Sequence, residues 1–279
     1  MKIISPSVEL WQQGDDWKSH VAKCARVCYA SNKSTDNDKF VDGLINSKHN
    51  SMLRHVTHYF IAEAFTLLDC IVEQFNHTIG FDHTYTFGKF YVVVNGNWVL
   101  DYKGAYEAIK EYEVDELTFA NTETGFKMLR YTFKVVTQIS TSRELNRVSP
   151  NNIAEQSTRY VYENGTLCCP HWLNIEDANK INEGDYTNHK IKMYIDSCKN
   201  NFNNYKELID VYGLHRQDAR GVLPLDTATT CIYTYSIQEW RHIIDLRYYG
   251  TTGKPHPNAK IIAGLIRDIL IDEGHEFRE

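Results

Sequence analysis

Arg143-Glu144-Leu145-Asn146-Arg147-Val148-Ser149-Pro150-Asn151-Asn152-Ile153-Ala154-Glu155-Gln156-Ser157-Thr158-Arg159-Tyr160 is the densest polar constellation in the chain. Pro150-Asn151-Asn152 breaks a helix there, because proline lacks an amide donor and restricts the residue before it. Arg147 therefore falls in a last helical turn, and Glu155 onward forms a new segment. The ordinary account of such a stretch is a solvated helix end followed by a loop. Here hydroxyls, amides and guanidiniums alternate without a supporting apolar face. Such a set offers fork-shaped donors for a phosphate and amide edges for a base.

Outward from this stretch, residues Phe126 to Ile139 alternate enough to be a strand. They enter Thr141-x-x-Glu144, the spacing of a capping box at a helix start. Asn95-Gly96, between Lys89–Val94 and Asn97–Leu100, predicts a two-residue hairpin turn, since both residues tolerate positive φ. Trp17, Val21, Cys24 and Cys28 recur at helical spacing, and Phe40, Leu44 and Ile45 suggest a short second helix ending before Ser47. His55 to Ala64 is a strand or a buried run, and Asp101 to Tyr112 reads as a helix. The stripe Ile191, Ile195, Cys198, Phe202, Tyr205, Ile209, Tyr212 predicts a long amphipathic helix over Thr187–Tyr212, closed by Gly213. Helices around Ser236–Arg247 and Ala259–Asp272 follow. Strands early and helices late indicate an α+β fold. No linker divides residues 1–279, which read as a single domain.

Composition narrows the function classes. The chain has 279 residues, 42% hydrophobic and 24% charged, the balance of a globular protein rather than a fibrous or disordered one. No apolar run is long enough to span a bilayer, and the first residues lack the apolar core of a secretory signal. A formal net charge of −6 argues against broad nucleic-acid binding, while leaving room for a local basic pocket. Seven cysteines without C-x-x-C spacing point to reduced thiols and a cytoplasmic setting. The 18 Tyr, 12 Phe and 5 Trp supply rings for a core, an interface or a planar ligand.

Other motifs are weaker. Neither G-x-G-x-x-G nor the P-loop spacing occurs. His55-Val56-Thr57-His58 is a poor metal pair, because residues three apart on a strand face opposite sides, so no metal is expected. Cys168-Cys169-Pro170-His171 places thiols beside an imidazole. Adjacent side chains seldom share a site, and buried or loop thiols are the plainer reading.

Glu155-Gln156-Ser157-Thr158-Arg159-Tyr160 resembles the end of the signature of flavin-dependent thymidylate synthases. That signature runs Arg-His-Arg, a spacer, then Glu/Gln-rich residues, Ser, any residue, Arg and Tyr. Counting back from Ser157, Arg147 falls on the first Arg of the triplet. Ala25-Arg26-Val27-Cys28-Tyr29 looks like the family's N-terminal helix, and His49-Asn50-Ser51-Met52-Leu53-Arg54-His55 like its His-x-Ser/Thr-x-x-x-His segment. Ala219-Arg220-Gly221-Val222-Leu223-Pro224-Leu225 is similar to its Ala-Arg-x-x-Leu-Pro element. Glu239-Trp240-Arg241-His242, Leu246-Arg247 and Pro255-His256-Pro257 follow in the expected order. Residues at about 65–125 resemble the hairpin-bearing insertion of the family's longer branch. The triplet departs from the pattern, with Val148 and Ser149 in place of His and Arg. Ser236 and Gln238 likewise stand where many members carry Asn and Arg.

The resemblance implies an α+β fold with an antiparallel sheet and long helices, assembled as a homotetramer whose sites are shared between subunits. It implies reductive methylation of dUMP to dTMP with methylenetetrahydrofolate as carbon donor, FAD as cofactor and NADPH as reductant. By resemblance Glu144, Arg147, Glu155, Gln156, Ser157, Thr158, Arg159, Arg220 and Arg247 bind dUMP. Arg247 stabilises charge on the uracil, and Ser157 lies near it as the other catalytic residue. The flavin would lie against His49, Ser51, Arg147, Ser149, Glu155, Ser236, Gln238 and His242. Two alternatives stand beside this reading: a pyrimidine hydroxymethylase on the same scaffold, and a catalytically silent nucleotide-binding oligomer. No nucleic-acid or membrane partner is expected.

Overall fold

Alternation along two long strands organises the molecule. The computed structural model describes residues 1–14, 16–30, 36–148, 152–174, 176–177, 180 and 188–278. The strands are β1 (Lys2–Ile4), β2 (Ser7–Trp11), β3 (Thr57–Glu63), β4 (Phe81–Thr86), β5 (Lys89–Asn95), β6 (Glu113–Val114), β7 (Arg130–Gln138), β8 (Ile153–Glu155), β9 (Thr166–Cys168) and β10 (Ala228–Ser236). An antiparallel sheet of order β2-β7-β10-β8 lies at the centre. Tyr131, Phe133 and Val135 of β7 and Cys231, Tyr233 and Tyr235 of β10 point to one face. There they pack against Ile237–Ile244 and Pro257–Asp272 through Trp240, Ile243, Ile262 and Ile266. The even-numbered residues face the other way. Ile232 and Ala154 meet Trp11 and Cys24, the latter on the helix Trp17–Tyr29.

A second antiparallel sheet, of order β4-β5-β3-β6, has its own core of Phe60, Leu68, Phe75, Val92, Val94 and Trp98. Its opposite face sends Tyr59, Tyr91 and Val93 into the central core, so the two sheets share an interior. β1 and β9 form a short parallel pair. The α+β expectation holds, with antiparallel pairing dominant and the parallel pair an addition.

Local sequence foresaw the helices well. Trp17–Tyr29, Asn37–Asn46 and His189–Asp210 match the apolar spacings, and Gly213 follows the last of these with φ +71°. Three expectations fail. Asn95-Gly96 is not a hairpin turn: Asn95 is extended and ends β5, and its side chain accepts from the Trp98 amide at 3.0 Å as the N-cap of Gly96–Asp101. Gly96 is required for packing, because a Cβ there would lie 2.8 Å from the Leu53 carbonyl. The real turn is Phe87-Gly88, joining β4 to β5 with φ of +50° and +79°. The Asp101–Tyr112 helix is correspondingly interrupted at Tyr102, between Gly96–Asp101 and Lys103–Ile109.

The Thr141-x-x-Glu144 capping box does not form either. β7 runs straight into the helix Ile139–Asn146, with Gln138 as N-cap, and the Thr141 hydroxyl donates to Gln138 Oε1 at 2.7 Å. The capping box belongs to Ser236 and Glu239: the Glu239 amide donates to Ser236 Oγ at 3.2 Å, and the Ser236 amide donates to Glu239 Oε2 at 2.7 Å.

Candidate active site

Two clefts gather residues of the expected site. The first, of about 560 Å³, is lined by Ile139, Ser142 and Arg143 from Ile139–Asn146, by Glu155 to Thr158, and by Arg220 to Leu225 apart from Val222. Pairing builds it. Cys231 of β10 faces Glu155 of β8, the Gln156 amide donates to the Thr230 carbonyl at 2.9 Å, and the Ser157 amide donates to Cys28 O at 2.9 Å. The chain then turns at Ser157, whose carbonyl accepts from the Tyr160 and Val161 amides. Opposite, Arg216–Ala219 and the tight turn Arg220–Val222 end at Leu223-Pro224, and the Leu225 carbonyl accepts from the Ser140 amide at 3.1 Å.

Polar groups in this cleft are held from below. Glu155 Oε1 accepts from Ser142 Oγ at 2.8 Å and Thr229 Oγ1 at 3.3 Å, and Oε2 accepts from Asn146 Nδ2 at 3.4 Å. The fully buried Tyr233 hydroxyl donates to Asn146 Oδ1 at 2.9 Å, which fixes the amide's orientation. Arg220 Nη1 donates to Thr158 Oγ1 at 3.0 Å and forms no ion pair among the described residues. Gln156 reaches back to Glu163 at 3.3 Å, where burial pushes the Glu163 carboxyl above its usual range. Arg159 is exposed and bonds Gln217 at 3.3 Å. Ser157 Oγ accepts from the Arg159 amide at 3.3 Å, with no carboxylate or imidazole bonded to it among the described residues.

Glu144, Arg147 and Arg247 stand apart from that cleft. Arg247 Nε donates to the Glu144 carbonyl at 2.8 Å, and its Nη2 lies 3.8 Å from Glu144 Oε2. Arg147 Nη1 is 3.3 Å from Glu144 Oε1. Glu144 and Arg147, three residues apart, are neighbours on the helix surface, whereas Ser142, two residues before Glu144, points the other way, so one helix presents different groups on its two sides. Arg247 occupies a π-helical turn, Asp245–Tyr249, and its cation sits against the Glu144 carbonyl in the last turn of Ile139–Asn146.

The second cleft, of about 510 Å³, is lined by Gly80, Phe81, Asp82, Val93, Met128, Arg130, Val148, Ser236, Gln238, Glu239 and His242. It gathers three of the expected flavin residues, Ser236, Gln238 and His242, beside Val148 of the altered triplet. His49 and Ser51, at the start of the turn Asn50–His55, line neither cleft, and Ser149 lies outside the described residues. Sequence reasoning missed Ser142 and Asn146 as partners of Glu155, Arg143 in the first cleft and Arg130 in the second.

The remaining motifs are structural. Burial pushes the Cys168 thiol up to about 12 and raises that of Cys169, so neither is a thiolate at neutral pH. His171 is turned to Asn258 Oδ1 at 3.1 Å. His55 is buried against Thr234 Oγ1 at 2.8 Å, while His58 meets Glu113 at 2.7 Å. Among the described residues no three His, Cys, Asp or Glu side chains are grouped to hold a metal ion, and no helix is long and apolar enough to cross a membrane.

No curated protein matches the chain. Among solved structures it is similar to the UMP/dUMP methylase PolB from Streptomyces cacaoi with 5-Br dUMP bound, at 17% identity over 98% of this chain and 93% of that one, TM-score 0.45. The same enzyme with 5-Br UMP matches at 15% identity, over 98% and 92%, TM-score 0.46. The flavin-dependent thymidylate synthase ThyX from Helicobacter pylori, complexed with FAD and dUMP, matches at 17% identity over 56% of this chain and 76% of that one, TM-score 0.39. The model of one family covers residues 99–272, more than half of the chain. That range holds the polar stretch, the Arg220 turn and the Arg247 helix, and the chain belongs to the thymidylate synthase complementing protein family.

Proposed function

We propose that this protein converts dUMP to dTMP by reductive methylation, with methylenetetrahydrofolate as carbon donor, FAD as cofactor and NADPH as reductant. The observation that carries the reading is the sorting of two residue sets into two clefts. Glu155, Gln156, Ser157, Thr158 and Arg220 line the first, and Ser236, Gln238 and His242 line the second.

In the first cleft the 5′-phosphate meets Arg220, with Arg159 and the Thr158 hydroxyl beside it, since guanidinium forks suit a phosphate dianion. Gln156 and the held carboxylate of Glu155 meet the polar edge of the base. Uracil becomes nucleophilic at C5 as its N3–O2 edge gains negative charge, and a fixed guanidinium lowers that barrier. Arg247 has this role. It stands with Glu144 and Arg147 outside the first cleft of its own chain, so the proposal includes a homotetramer in which another copy completes each site. Ser157 binds rather than attacks, because a serine nucleophile needs a bonded base.

The second cleft suits a flavin. Phe81, Val93, Met128 and Val148 give apolar walls for a ring, and Arg130, Gln238 and His242 give donors. FAD there supplies hydride chemistry; the protein's part is to hold it and to exclude water. Two measurements test the whole. The absorbance spectrum of the purified protein with and without FAD reads the cofactor, and the mass of the product from dUMP reads the reaction. A flavin-free protein that binds dUMP without turnover overturns the reading in favour of a silent binder, and a hydroxymethyl product overturns the methyl assignment.

A further inference from the structure

Arg130, the first residue of β7, lines the second cleft and belongs to none of the motifs that carry the family resemblance. Its guanidinium is half-buried and held by neutral oxygens alone. Nε donates to Thr57 Oγ1 at 3.2 Å, and Nη2 donates to the carbonyls of Arg54 and Thr234, both at 3.3 Å. Among the described residues Nη1 has no hydrogen bond and no carboxylate forms an ion pair with Arg130. Glu239, which shares the cleft, is committed to the Ser236 amide at 2.7 Å, and Asp82 is exposed. His55 is no counter-ion either: burial first, then the His20 and Arg130 charges, lower its pKa. Arg130 is also the only lysine or arginine among the described residues lining this cleft. A guanidinium withdrawn from water without a partner is costly and favours an anionic ligand.

We propose that Arg130 recognises negative charge on the flavin nucleotide. This rests on the cofactor reading above. Three neutral acceptors aim the guanidinium without neutralising it, so its charge is available to a ligand anion. The anionic group is either the phosphate bridge or the N1–O2 edge of the ring, which becomes negative on reduction.

Fluorescence titrations with FAD, FMN and riboflavin, on wild type and on Arg130→Gln and Arg130→Lys, test the proposal, together with the reduction potential of the bound flavin. Losing one charge-assisted contact should weaken FAD binding roughly 10- to 100-fold. Arg130→Lys should recover part of that loss. If the phosphates are the contact, FAD and FMN weaken while riboflavin does not, and the salt dependence of FAD binding flattens in Arg130→Gln. If the ring edge is the contact, all three weaken and the reduction potential falls. Either pattern supports the proposal. Unchanged FAD affinity in Arg130→Gln overturns it. So does an equal loss for all three flavins at unchanged potential, which would make Arg130 a brace between β3, β7 and β10. Wild type that binds no flavin overturns the cofactor reading itself, a result visible before any variant is made.

Discussion

Lowering the pH from 7 to 5 should destabilise this protein through two imidazoles buried behind the central sheet. His20 and His55 are buried at 3% and 0% exposure. Burial, with Lys23 adding, lowers the His20 pKa to about 4, and burial, with His20 and Arg130 adding, lowers that of His55 to about 3. Among the described residues His20 Nδ1 and His55 Nε2 have no hydrogen-bond partner, so a proton on either ring would be poorly solvated. The sign follows from linkage. Both folded pKa values lie below the unfolded value near 6.5, so the unfolded chain takes up protons first as pH falls. Stability is full above pH 6.5 and declines below it until the folded pKa values are reached. Between pH 7 and 5 each histidine should remove about 2 kcal/mol, and the pair about 4 kcal/mol, a large part of a typical total of about 5–15 kcal/mol. The assay is urea unfolding at pH 7, 6 and 5 for wild type, His20→Gln and His55→Gln. Each variant starts from its own stability at pH 7, and the quantity compared is the loss on acidification, which should shrink by about 2 kcal/mol per variant. A wild-type stability that is flat over this range, or variants that keep the full loss, would refute the reasoning.

Three further outcomes are expected. Arg220→Ala should weaken dUMP binding roughly 10- to 100-fold while leaving deoxyuridine binding unchanged, read by calorimetry; an equal loss for both ligands would remove Arg220 from the phosphate. Arg247→Ala should lower kcat by about 10²–10³-fold, as for other lost donors to developing charge, with KM less affected, and a change in KM alone would contradict its role. Ser236→Ala removes a helix cap bonded at 3.2 Å and should destabilise the protein by about 0.5–2 kcal/mol, measured by chemical unfolding without flavin; no loss would mean that the capping box contributes nothing.

Helices were legible in this sequence wherever one stripe of apolar residues decides them. Ile195, Cys198, Phe202 and Tyr205 bury one side of His189–Asp210, a pattern set by the 3.6-residue period alone. The polar stretch was legible because its residue types suit a phosphate and a base, whatever surrounds them. Turn and cap signals were not, because they are locally ambiguous. Asn-Gly at 95–96 satisfies the preferences of a hairpin turn and also those of an N-cap followed by a close contact, and the Leu53 carbonyl 2.8 Å from a Gly96 Cβ chose the second. Ser/Thr-x-x-Glu occurs at Thr141 and at Ser236; β7 running unbroken into its helix left only Ser236 to act as a cap. The division of the site was likewise a tertiary decision. Ser142 and Glu144 are two residues apart, yet the helix turns one toward Glu155 and the other toward Arg247. Arg130 reads in sequence as the polar start of a strand. It lines a cleft only because Arg54, Thr57 and Thr234 converge on it from segments 73 to 104 residues away, and no local pattern encodes convergence over that distance.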